Sequence, residues 1–293
     1  MTYGPQLPAM KLKPRCYQDM FCVCPLLKKT PELPALELDE LCYQAMFSGC
    51  TSLTEAPKLR AKSMSKRGSY ALMFSSCTSL TSMPELPCKE LAQLSYYSMF
   101  LGCSSLVNTC KLPATNIPIS AYTTMFKGCT SLVNAPDLPA PNLSVDCYLC
   151  MFSGCTSLTV APNLPATTVY NGSYQDMFHG CRSLVVAPKL PATNLDVWCY
   201  AHMFDGCTSL TKAPELPAMT LVDACYRTMF GGCSNLTYIK CLVEDLGQSL
   251  SSNPFLSWVG NVSPTGTFVK KAGVEWPTGW NGIPEGWTVE EVE

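Results

Sequence analysis

Nineteen cysteines and two histidines are the residues best able to do chemistry in this chain of 293 residues. A thiolate beside an imidazole makes a nucleophile, and closely spaced cysteines hold zinc. Neither arrangement follows from the spacing found here. Cys147-Tyr-Leu-Cys150 is a lone C-x-x-C without a second pair nearby, and Cys22-Val-Cys24 is equally isolated. A structural zinc needs four ligands. His179 and His202 stand at variable positions, outside any Ser/His/Asp or Cys/His arrangement, and both are expected at the surface. No glycine-rich loop is available to cradle a phosphate. The expectation is therefore no catalytic residue, no metal site, no cofactor and no enzyme activity.

Charge narrows the partners. Twenty basic residues against twenty-two acidic ones leave a net charge of -2, so no field for nucleic acid is expected. The apolar runs are only a few residues long, too short for a transmembrane segment, and the N-terminus has no signal-peptide pattern. One dense basic patch exists, formed by Lys58, Arg60, Lys62, Lys66 and Arg67. It is either a solvated bulge or a contact for a polyanion, with Glu37, Asp39 and Glu40 partly offsetting its field.

What must position these residues is a repeat. Met-Phe recurs at Met20, Met46, Met73, Met99, Met125, Met151, Met177, Met203 and Met229, at intervals of 26 residues with a single 27. The extra residue lies in Ser65-Lys66-Arg67-Gly68, on a turn. Phe, the Cys three residues later and a Tyr each fill their column in all nine copies. Such columns must face a shared interior, because one coil cannot bury its own apolar face. Within a coil, S-L-T-x-A (Ser52 to Ala56) alternates like a half-buried strand that Pro57 ends. Tyr43 and Phe47, four apart, share one face of a helical turn, with Gly49 at its C-cap. The expected fold is an α/β repeat: a right-handed leucine-rich-repeat-like solenoid with one short parallel strand and one helical turn per coil. Residues 1–239 form about nine coils, and residues 240–293 a Trp-rich C-terminal cap.

The unit M-F-x-G-C-T-S-L-T-x-A-P resembles leucine-rich repeats of the BspA-like type, which carry an A-F-x-x-C segment followed by S-L-x-x-I-x-I-P. The likeness runs over about residues 5–240, with a second proline-rich segment lengthening each coil. Such proteins occur in gut Bacteroidales and their phages, often at the surface. The resemblance implies a binding or adhesion scaffold on the cell surface or outside the cell, or alternatively a phage fibre or decoration protein of the virion. Its ligand would be a protein or a glycan.

The columns also bear on the remaining residues. Cys16, Cys42, Cys147, Cys199 and Cys225 share a column with Ser69, Ser95, Ala121 and Ser173, so the demand is for a small buried side chain and free thiols are expected. The strand-face positions lack aromatics, which does not encourage a sugar site there. The most varied positions precede Cys-Tyr, and Tyr170, Asn171, Asp196 and Trp198 are the candidate binding rim. Four of the five tryptophans fall in the last 36 residues, as packing onto the last coil or as a ligand platform. Tyr3 to Ala9 is already mid-coil, which fits preceding sequence, a poorly covered edge, or an uncapped N-terminal edge that docks on a partner.

Overall fold

A computed structural model describes residues 3–247 and 249–293. Its coils stack with the sequence period, but the side expected to hold a helical turn has no helix. Around Tyr122 and Phe126 the backbone N–H groups alternate between two destinations. Ala121, Met125, Lys127 and Cys129 each donate to the carbonyl three residues back, at 3.0–3.1 Å. Tyr122, Thr124, Phe126 and Gly128 donate instead to Cys147, Leu149, Met151 and Ser153 of the next coil, at 2.8–3.1 Å. Every fourth residue, Ser120, Thr124 and Gly128, has φ of 54°, 54° and 75°. A right-handed helix cannot pass through such residues, so the segment is a ladder of tight turns. A positive φ costs a non-glycine residue roughly 1–2 kcal/mol. Here the interior residues that bear it spend their N–H on the neighbouring coil, which holds them there.

The expected strand is also reduced. Ser82↔Asn108, Asn134↔Val160 and Val160↔Val186 are single parallel bridges at the x of S-L-T-x-A. A second column of bridges, including Asn116↔Asn142 and Thr168↔Asn194, lies on a third side of the coil and was not expected. Proline explains the brevity. Pro136, Pro162 and Pro188 stand two residues after the first bridge column and have no N–H to extend the ladder. Where Ile239-Lys240 replaces Ala-Pro, the bridge lengthens into β1 (Tyr238–Cys241). It pairs in parallel with the proline-free β2 (Thr267–Lys271), which pairs in parallel with β3 (Thr288–Val292).

The core is a bundle of columns. Tyrosine rings stack coil on coil at 5.7 to 6.1 Å and phenylalanine rings at 5.5 to 5.8 Å. The rings of Tyr96 and Tyr122 are 5.7 Å apart, more than the roughly 4.8 Å between bridged coils.

The repeat pattern continues past the last Met-Phe. Tyr226, Thr228, Phe230 and Gly232 donate to the carbonyls of Pro254, Leu256, Trp258 and Gly260. Residues 254–261 thus form one more rung, with Phe255 stacked on Tyr226 at 5.8 Å and Trp258 in the place of methionine. The outward N–H groups of this rung find acceptors close by. Asn253 Oδ1 takes Phe255 N–H, Asn281 Oδ1 takes Ser257 N–H, and the Trp280 carbonyl takes Val259 N–H.

Candidate functional site

The chemistry-bearing side chains divide into those locked in the stack and those at its surface. Cysteine belongs to the first group. The thiols of Cys50, Cys77, Cys103, Cys129, Cys155, Cys181, Cys207 and Cys233 each donate to a phenylalanine carbonyl of the preceding coil, at 3.0–3.2 Å. A buried S–H donor of that size is what the column demands. Burial pushes the Cys50 thiol up to about 11 and the Cys103 thiol to about 12. A thiol held protonated at neutral pH is neither a nucleophile nor a ligand. All nineteen cysteines are free, and fourteen of them are buried. Among the described residues, no three His, Cys, Asp or Glu side chains are arranged to hold a metal ion.

The two histidines are brought together, which the sequence reading did not foresee. His179 Nε2 lies 3.8 Å and His202 Nδ1 3.6 Å from the same carboxylate oxygen of Asp205. His179 and Asp205 occupy one column in neighbouring coils, and His202 precedes Asp205 by three residues. Applying the 26-residue period to His179 would have found the pair. The contacts are longer than hydrogen bonds and partly exposed, so even protonated they would contribute about 0–1 kcal/mol.

The predicted rim residues do meet across coils, largely through backbone. Asp196 accepts the N–H of Asn171 at 3.1 Å and that of Val197 at 2.7 Å. Its carboxylate is thereby spent on opening the turn segment. Trp198 stands at φ 60° with the Arg227 guanidinium 5.2 Å from its ring. Tyr170 is exposed, while its backbone is tied to Ser173 Oγ. In the tail, Trp258 is fully buried and donates to the Gly282 carbonyl, and Trp287 donates to that of Ser263. Trp280 is the exposed member, at 63%.

The basic patch is split. Lys58, Arg60, Lys62, Lys66 and Arg67 are all exposed, and none forms an ion pair among the described residues. Lys58 and Arg60 line a groove of about 290 Å³ with Glu32 and Leu33. Lys66 and Arg67 sit in the turn that carries the one-residue insertion, where the Arg67 carbonyl accepts Leu41 N–H. That groove has counterparts on the same proline face. One of about 260 Å³ lies between Pro5 to Pro8 and Pro31 to Pro34. A larger one, about 710 Å³, runs from Pro188 and Pro191 across Pro214 and Pro217 to Tyr238, with Lys189, Lys212 and Lys240 along it. These lysines were not anticipated as a group, since each belongs to a different coil.

No family model matches the chain, and no curated protein is similar to it. A solved leucine-rich repeat protein from Bacteroides ovatus is similar at 15% identity over 99% of this chain and 83% of that one, with a TM-score of 0.29.

Proposed function

We propose that this protein is a non-enzymatic binding scaffold of the BspA-like leucine-rich type, displayed on a bacterial cell surface. One observation carries the reading. Eight thiols of the G-C column are spent on carbonyls of the preceding coil, while the proline face keeps a recurring open groove available to a ligand. A regular rod with one accessible, repeated face suits recognition of an extended partner. Antibodies raised against the folded chain should label intact cells of the organism that encodes it, and labelling confined to lysed cells would overturn the reading.

A second reading is a phage fibre or decoration protein, for which a regular stacked rod would serve equally. The same antibodies labelling purified virions, and not cells, would support it.

A further inference from the structure

The wide groove on the proline face has a chemistry of its own. Its walls carry Pro188, Pro191, Pro214 and Pro217, which present rings and carbonyls but no N–H. A ligand that needs hydrogen-bond donors from those wall positions finds none, and lysine ammonium groups are the cationic donors along the groove. Three lysines line it against a single glutamate. Lys240 contacts Glu215 at 2.7 Å, and Lys212 Nζ lies over the Tyr238 ring at 4.7 Å. Lys189 is exposed and takes part in no ion pair among the described residues. The groove is thus apolar in its walls and positive along its length.

Resting on the binding-scaffold reading, we infer that this groove binds an extended acidic polypeptide segment with apolar residues between its carboxylates. The spacing fits. Lys189 and Lys240 belong to coils two apart, which separates them by about 9–10 Å along the stack. A polyproline-like segment rises about 3.1 Å per residue, so carboxylates three residues apart are about 9 Å apart. The residues between them would lie against the proline walls. An acidic glycan matches the charge but not the walls, because the one aromatic ring in the groove is covered on one face by Lys212.

The probe is a fluorescein-labelled Glu-Leu-Pro-Glu-Leu-Pro-Glu peptide, followed by anisotropy with the full chain. Binding in the micromolar range, weakened several-fold by raising salt from about 50 to 300 mM, is the expected result. The double variant Lys189→Glu, Lys212→Glu changes only exposed side chains and should weaken it at least ten-fold. Lys13→Glu, Lys127→Glu makes the same charge change on exposed side chains elsewhere and should leave binding within two-fold. A glutamine-for-glutamate peptide should not bind. The inference is overturned by no binding at millimolar protein, by equal losses in both double variants, or by polygalacturonate binding the groove in place of the peptide. Cell-surface labelling is independent of all three outcomes, so the groove assignment can fail while the scaffold reading stands.

Discussion

A cysteine in the G-C column is held by two demands at once, small volume and a donor for the phenylalanine carbonyl of the preceding coil. At this scale two outcomes are expected. Fourteen of the nineteen thiols are buried, so a native sample should react quickly with a thiol reagent at only a few positions, Cys16 foremost. Unfolding without reductant should release the remainder, and a well-folded sample with most cysteines oxidised would contradict the ladder. The second outcome concerns pH. The Cys103 and Cys181 thiols are raised from 9.0 to about 12 by burial, so the unfolded chain loses these protons at lower pH than the folded one. Their contribution to stability is complete below about pH 9 and disappears as pH climbs toward 12. Melting temperature should therefore be flat to about pH 8.5 and fall steeply beyond it. A melt unchanged at pH 10.5 would count against the buried thiols.

The turn ladder is the element that most separates this chain from a helical repeat. Asp176 has φ of 55° and Gln175, beside it, does not. Asp176→Gly should leave stability unchanged or raise it by up to about 1 kcal/mol, since glycine is at ease at positive φ. Gln175→Gly should cost about 1 kcal/mol through lost backbone freedom alone. If both substitutions destabilise equally, as helix-interior glycines would, the ladder is not what holds the segment. The last rung makes the matching case for residues 240–293 as a cap, which is our proposal. Trp258 is fully buried against Phe230 and Phe255, so Trp258→Ala should cost about 3–5 kcal/mol. Truncation from Lys240 removes the acceptors at Pro254, Leu256 and Trp258 and should make the chain aggregate or fray from that end. Equal melting of truncated and intact chains would refute the cap.

At the scale of the whole molecule, the backbone hydrogen bonds and ring stacks described link each coil to its neighbour, so stability is close to one-dimensional. Phe126 stacks on Phe100 and Phe152, and its loss breaks the column in the middle. Phe126→Ala should cost several kcal/mol and divide the melt into two transitions. Phe21, which stacks on Phe47 alone among the phenylalanines, should on truncation to Ala only fray the first coil. A single transition shifted equally by both substitutions would mean that the stack unfolds as one cooperative unit instead.

The period, the inward columns and their exchange pattern were all legible in the linear sequence. Tyr, Phe and Cys recur without exception because one coil's core is the next coil's wall, and Ser69 or Ala121 in a cysteine column already argued for unbonded thiols. The backbone of the Tyr–Phe segment was not legible, for a physical reason. Side chains four apart share a face in a helix, and they also share one in a ladder whose φ turns positive every fourth residue, so Tyr43 and Phe47 fit both. Only the destination of the N–H groups separates the two, and that destination lies in another coil. Proline marked where the strands stop, yet how short they became depended on prolines in both neighbours, as the contrast with Ile239-Lys240 in β1 makes plain. The meeting of His179 and His202 at Asp205, and the row of lysines on the proline face, arise from stacking residues about one period apart. The pattern within one coil holds no trace of either; only the 26-residue period, applied from coil to coil, aligns His179 with Asp205, and the contact itself exists once the chain has folded.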